Sequence, residues 1–325
     1  MNDIVVLQTS DLPTPAEEHL RNHFQLVRLD NSASNRNDVL ARHGEAVRAI
    51  AGSGKGKVDA SLIESLPNLE IISVTSAGLD AIDVEAASRR QVPIFNTSKV
   101  LADDVADIAL WLVLGTMRSL VQADRFVREG RWPSSHQYPL GKTIAGSKVG
   151  ILGLGHIGKM LARRLEVLGA TIGYAGRSRK PDIGYPYFPD ALALAGWSDL
   201  LVVSCPATAQ THNLVDRDVL RALGPDGILV NISRGSIVDE TALIEALEAG
   251  EIFAAGLDVF ANEPVVPEAL IKSDRTIILP HIGSATVGTR TRMWQAMVDA
   301  LFHHFRLRPA DWGQLHPLTN QNPGS

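Results

Sequence analysis

Three apolar runs of the chain lead into residues able to do proton and anion chemistry. One ends in Asn231-Ile-Ser-Arg234-Gly235. Another ends in Asp258, followed by Glu263-Pro264. The third ends in Pro280-His281-Ile-Gly283-Ser284. An arginine offers a planar fork to a carboxylate and can polarise the carbonyl beside it. A histidine can give a proton to a carbonyl oxygen or take it back, a contribution of typically about 10²–10⁴-fold. A carboxylate next to that histidine favours the imidazolium. Arg234, Glu263 and His281 together therefore suit hydride transfer to a 2-keto acid. Taken singly, the residues have a plain alternative as a salt-bridged arginine and a core histidine.

The partner such chemistry needs is a dinucleotide, and one segment fits it. Gly153-Leu-Gly155-His156-Ile157-Gly158 follows the apolar run Lys148–Leu152 and opens the helical run Met160–Leu168, which Gly169 ends. The spacing assigns Gly153 to a tight turn, Gly155 to the approach of a pyrophosphate and Gly158 to close helix–strand packing. The anion then meets the helix N-terminus. His156 and Ile157 lie in the loop beside the phosphates, and His156 is read as a tolerated loop residue. About 20 residues on, an NAD site has an acid for the ribose 2′-hydroxyl. Here Gly176 is followed by Arg177-Ser178-Arg179-Lys180, and the first acid is Asp182. Two guanidinium groups and a hydroxyl suit a 2′-phosphate. NADPH is expected and NADH is disfavoured; the plain alternative is a solvated basic loop.

These residues require a frame that brings strand ends together. Apolar runs of strand length recur at Ile4–Leu7, Leu26–Leu29, Ala46–Ile50, Ile71–Thr75 and Val92–Phe95. A second series follows at Lys148–Leu152, Thr171–Tyr174, Leu200–Ser204, Ile228–Ile232, Ala254–Val259 and Thr276–Leu279. Helical segments alternate with them, which implies parallel sheets covered on both faces. Residues 102 to about 127 predict one long helix, apolar on most sides and buried, with Asp103 and Asp104 in its first turn. A last helix is expected from about Thr289 to Phe305, with a loose tail over Gln314–Ser325. The fold class is α/β with two flavodoxin- or Rossmann-like domains. The cofactor domain, a doubly wound parallel sheet at residues 99–284, is inserted into an outer substrate domain, residues 1–98 plus 285–325. A cleft between such domains is a common ligand site.

With 325 residues the chain has room for two domains. At 45% hydrophobic and 21% charged residues it is neither disordered nor fibrous. A net charge of −5 gives no global field for nucleic acid. Cys205 is the one cysteine, so nothing calls for an oxidising compartment. The first residues lack a basic region, and no apolar run approaches the ~20 residues of a membrane span. A cytoplasmic protein is expected. No CxxC or HExxH is present, so no metal is expected.

The combination of GLGHIG, NISRG, GLDVFANEP, PHIGSAT and Leu101-Ala-Asp-Asp-Val-Ala-Asp107 resembles the D-2-hydroxyacid dehydrogenase family over nearly the whole chain. The resemblance implies that Arg234 is the substrate arginine, Glu263 its acid partner in the site and His281 the acid/base. It implies that Asp258 and Ser284 meet the nicotinamide carboxamide, that Pro206, Ile232, Ser233 and Gly283 line the cofactor, and that the backbone at Ala77 and Gly78 holds the substrate carboxylate. Cys205, in SCPATA, is read as a small buried hydrophobe. NTSKVLADD, GRSRK, SCPATA and PHIGSATVGTRTRM resemble the NADPH-dependent glyoxylate/hydroxypyruvate reductases, whose relatives act on hydroxyphenylpyruvate or 2-ketogluconate. The segment from Val127 to Tyr138 resembles a dimerisation arm, so a homodimer is expected. Trp132 or Tyr138 would reach a neighbouring subunit's pocket or only pack the interface. Arg290 and Met293 are candidates for touching substrate.

Two other functions stay open at this point. The C-terminal binding protein corepressors share the fold and bind partners instead, which makes a dinucleotide sensor the alternative from another class. An enzyme for a larger, aromatic or phosphorylated keto acid is the other. No basic cluster is evident in the sequence near Ala77 and Gly78, which argues against a phosphorylated acid. Glu263, where the superfamily's formate dehydrogenases have Gln, argues against formate.

Overall fold

A computed structural model describes residues 4–30, 33–135 and 137–307. The expected tail at Gln314–Ser325 lies outside the described residues. The chain divides into two compact units. One is Met1–Leu101 with Ala285–Ser325; the other is Ala102–Ser284.

The first unit is built on β1 (Val5–Gln8), β2 (Gln25–Arg28), β3 (Val47–Ser53), β4 (Ile71–Thr75) and β5 (Ile94–Phe95). All pair in parallel, in the order β2-β1-β3-β4-β5. Strands buried on both faces read as continuous apolar runs, as Val5–Leu7 and Ile71–Ile72 do. One face packs Leu7, Ile50 and Ile72 under the helices Ala60–Glu64 and Val84–Arg89. The other packs Val6, Ala49 and Ile71 against Leu20 and against Met297, Val298, Leu301 and Phe302. Those last four belong to the helix Val287–His304. The Ser73 hydroxyl donates to the Met297 carbonyl at 2.8 Å, tying that helix to β4.

The second unit holds β6 (Lys148–Leu152), β7 (Thr171–Ala175), β8 (Tyr187–Phe188), β9 (Leu200–Val203), β10 (Ile228–Asn231), β11 (Ala254–Leu257) and β12 (Thr276–Ile278). The order is β12-β11-β10-β9-β6-β7-β8, again parallel. The order reverses between β6 and β9, the switch point of a doubly wound sheet, where strand C-termini open a crevice. Aspartates start several helices by accepting backbone N–H groups. Asp190 takes Ala193 N–H, Asp216 takes Val219 N–H and Asp239 takes Ala242 N–H.

Two expectations change. The long helix over 102–127 is two helices, Ala102–Arg118 and Leu120–Arg128, because Ser119 turns into the left-handed region at φ 47. Its apolar surface is not wholly covered either, since Trp111 is 40% exposed. β8 lies where no strand is expected, since two aromatic residues between prolines and glycine carry no periodicity.

Candidate active site

The glycine loop joins β6 to the helix His156–Val167. Gly153 has φ 98, and a Cβ there would meet the backbone of Cys205 at 2.5 Å, so only glycine makes this turn. A Cβ at Gly158 would lie 2.5 Å from the Gly153 carbonyl oxygen, the close helix–strand contact expected of it. Gly155 differs, because a Cβ there would meet nothing within 4 Å. It is the residue before the helix and makes no side-chain cap. The loop thus offers open backbone at the positive end of a helix, which fits a dinucleotide pyrophosphate. His156 is the first residue of that helix and is exposed; Ile157 is half-buried. The Ser204 hydroxyl donates to the Gly153 carbonyl at 2.5 Å and braces the turn from the end of β9.

Arg177, Ser178 and Arg179 leave the end of β7 and are all exposed. Two tyrosines pin the loop. The Tyr187 hydroxyl donates to the Gly176 carbonyl at 3.1 Å, and Lys180 N–H donates to the Tyr174 hydroxyl at 2.7 Å. β8, the strand not expected, supplies Tyr187. Pro206 is exposed after β9, and Cys205 is buried, where burial pushes its thiol up to about 11.

β10 carries Arg234 past its C-terminal end. Asn231, 1% exposed, acts as a staple: its Nδ2 donates to the Arg234 carbonyl at 2.9 Å, and its Oδ1 accepts from Ser233 N–H at 3.1 Å. The Ser233 hydroxyl donates to the Cys205 carbonyl, and Arg234 Nη1 donates to the Ser233 carbonyl at 2.8 Å. Ile232 is buried between them. Asn231, Ser204 and Tyr187 hold the site without appearing among the sequence candidates. Their signal is a polar residue at or just beyond a strand end.

His281 and Glu263 meet directly. Nδ1 of His281 lies 2.7 Å from Oε2 of Glu263, and Oε1 of Glu263 accepts from Phe260 N–H at 3.1 Å. A carboxylate only accepts, so Nδ1 bears the proton in this contact and Nε2 is turned outward from it. His281 itself sits at φ 54. Asp258 holds it there. The Asp258 carbonyl accepts from His281 N–H at 2.9 Å, Oδ1 from Ile282 N–H at 2.8 Å and Oδ2 from Gly283 N–H at 2.9 Å. Burial pushes the Asp258 carboxyl up, while the two amide donors favour its charged form. The resemblance assigns Asp258 to the nicotinamide carboxamide, and each of its oxygens accepts one backbone N–H, leaving a lone pair on each for a further donor. Ser284 follows this clamp, half-buried.

Ala77 and Gly78 belong to the other unit, just past β4, and are half-buried. The Ser76 hydroxyl donates to the Gly78 carbonyl at 2.6 Å, and Thr97 N–H donates to the Ser76 carbonyl at 2.9 Å, so their turn is fixed locally. Met293 is buried in the helix Val287–His304, and Arg290 is half-buried there, where burial lowers its pKa. Trp132 is 57% exposed. Tyr138 is engaged within its own unit: its hydroxyl donates to the Ser119 carbonyl at 3.3 Å and its ring packs on Phe126. Among the described residues, no group of three His, Cys, Asp or Glu could hold a metal, and no helix is long and apolar enough to cross a membrane.

Known proteins are similar to this chain over most of its length. Residues 110–283 match the D-isomer specific 2-hydroxyacid dehydrogenase, NAD binding domain. A glyoxylate/hydroxypyruvate reductase A of Arabidopsis thaliana is 43% identical over 305 residues, covering 94% of this chain and 97% of that protein. A hydroxyphenylpyruvate reductase of Plectranthus scutellarioides is 42% identical, covering 95% and 98%. Among solved structures, an NADPH-dependent glyoxylate/hydroxypyruvate reductase from Sinorhizobium meliloti, in complex with NADP and malonate, is 41% identical with a TM-score of 0.84 and covers 94% of each chain. With its glycine loop, its Arg234 strand end and its His281–Glu263 pair in one doubly wound unit, the chain belongs to the D-isomer specific 2-hydroxyacid dehydrogenase family.

Proposed function

We propose that this protein reduces small 2-keto acids, glyoxylate and hydroxypyruvate, to D-2-hydroxy acids, with NADPH as the preferred cofactor. The observation that carries the reading is the 2.7 Å contact between His281 and Glu263 in the unit that also holds the glycine loop. When bound, NADPH supplies the hydride. His281 supplies the proton: Glu263 fixes Nδ1–H and stabilises the imidazolium, so Nε2–H is the acid toward the carbonyl oxygen and its base in reverse. Arg234 binds the substrate's carboxylate and polarises the carbonyl. In the first unit, the backbone at Ala77 and Gly78 is the candidate for substrate binding. Pro206, Ile232, Ser233, Asp258, Gly283 and Ser284 line the cofactor, and Asp258 also holds the backbone of residues 281–283.

Arg177, Ser178 and Arg179 support NADPH, because they stand exposed on a braced turn with no acid at the strand end. The helix Leu120–Arg128 buries none of its residues and exposes Leu120 and Val127, which supports a homodimer. A single buried cysteine accords with a cytoplasmic setting. The test is a panel of 2-keto acids, hydroxyphenylpyruvate included, with NADPH or NADH, followed at the nicotinamide absorbance. Rapid NADPH oxidation with glyoxylate or hydroxypyruvate is expected. Faster oxidation of NADH would overturn the cofactor preference alone. Binding of either cofactor without turnover of any acid would overturn the enzyme reading and favour a sensor.

A further inference from the structure

We propose that Tyr174 and Tyr187 are positioning residues for cofactor choice: their hydroxyls hold the segment 177–179 in the shape that takes a 2′-phosphate, and so set the preference for NADPH over NADH. The proposal rests on the reading above that Arg177, Ser178 and Arg179 meet that phosphate. Three of the chain's four tyrosines, Tyr174, Tyr185 and Tyr187, flank this one loop. The two hydroxyls bound the segment on either side. The Tyr187 hydroxyl donates to the Gly176 carbonyl, immediately before Arg177. Lys180 N–H, immediately after Arg179, donates to the Tyr174 hydroxyl. Between these anchors lie only residues 177–179, all three exposed.

The anchors are themselves fixed. Tyr174 is buried, and its ring centroid lies 5.4 Å from that of Tyr187. Its own N–H donates to the Pro186 carbonyl at 2.9 Å, which closes the loop at its base. Gly153 N–H donates to the Ala175 carbonyl at 2.9 Å, so the loop shares a frame with the glycine turn. The pyrophosphate and the 2′-phosphate belong to one dinucleotide, so a frame common to both turns favours their joint binding. A loose segment would have to be ordered by the phosphate, and fixing the backbone of a single residue costs about tenfold in affinity. A segment anchored at both ends has given up that freedom before the cofactor arrives. NADH has no 2′-phosphate and gains nothing from the shape. Phenylalanine at either position would keep the ring contact, yet could neither donate to Gly176 nor accept from Lys180. Tyr185 is differently engaged: its hydroxyl donates to Glu166 on the helix His156–Val167, beyond the anchored segment.

The test is the Kd of NADPH and of NADH, each followed by nicotinamide fluorescence, for the wild type, Tyr187→Phe, Tyr174→Phe and Tyr185→Phe. Tyr187→Phe is expected to weaken NADPH about tenfold while NADH binding stays nearly constant. Tyr174→Phe is expected to shift the two constants in the same way, with a lower Tm because Lys180 N–H loses its partner. Tyr185→Phe is expected to keep the wild-type preference. Equal weakening of both cofactors in Tyr187→Phe would overturn the proposal, since a purely structural role loosens the site for either. An unchanged preference in Tyr187→Phe, with a wild type that favours NADPH, would overturn the proposal and leave the reading of Arg177–Arg179 standing. An equal loss of preference in Tyr185→Phe would overturn it too, by tracing the effect to general loosening of the loop. A wild type that favours NADH would overturn both.

Discussion

At the scale of single residues, the proposed function divides the site into groups that would touch reactants and groups that aim them. Arg234→Ala is expected to raise KM for the keto acid and lower kcat while NADPH affinity stays nearly constant, measured by steady-state kinetics beside cofactor titration. His281→Ala is expected to lower kcat by about 10²–10⁴-fold, the usual worth of a positioned proton donor, with NADPH binding retained. Asn231→Ala frees the Arg234 carbonyl and Ser233 N–H from their staple. It should copy the KM effect of Arg234→Ala in milder form and cost about 1–2 kcal/mol of stability through the two lost hydrogen bonds, read by denaturant unfolding. The His281–Glu263 contact was legible in the sequence because carboxylate and histidine each follow an apolar strand. The aiming residues were not. Ser204, Tyr187 and Asp258 matter through partners distant in the chain, and Asn231 through a local backbone turn that its residue type does not announce.

At the scale of elements, the turn at Gly153 is the most constrained feature. Gly153→Ala would combine a φ of 98 with a collision against the Cys205 backbone. It is expected to cost about 1–3 kcal/mol, seen as a lower Tm, and to weaken NADPH binding. Strand positions were largely legible because buried parallel strands are apolar throughout, and β4 and β6 match their expected bounds residue for residue. The helix over 102–127 was misread for a physical reason. Hydrophobic periodicity continues across Ser119, and nothing in a serine announces a left-handed backbone. β8 was missed because two residues are too short for any pattern to form, although its tyrosine braces the turn carrying Arg177–Arg179.

At the scale of the whole molecule, acid acts unevenly. In the first unit, hydrogen bonds from arginine hold three carboxyls below their ordinary values: Arg36 on Asp59, Arg21 on Glu17 and Arg48 on Glu70. Such groups add stability that is complete above their unfolded values, 3.8 for Asp and 4.5 for Glu, and is lost as pH falls through the lowered folded ones. Thermal stability should therefore fall below about pH 4.5, and Arg36→Met should lower Tm at pH 7 more than at pH 3. Equal losses at both pH values would show that the pair contributes nothing through ionisation. The alternation of strands and helices made two parallel sheets legible. The pairing of the last helix with β4 was less so, since nothing local in Val287–His304 names its partner.

That pairing orders events during translation. The face of the first sheet that carries Val6, Ala49 and Ile71 is closed by Met297, Val298 and Leu301, which a ribosome makes only after the whole of Ala102–Ser284. At roughly 5–20 residues per second the wait is on the order of ten to forty seconds. The inserted unit can complete its sheet while the strands made before it still lack part of their cover. A nascent chain stalled before residue 287 would hold a finished dinucleotide fold beside an apolar sheet face still open to chaperones.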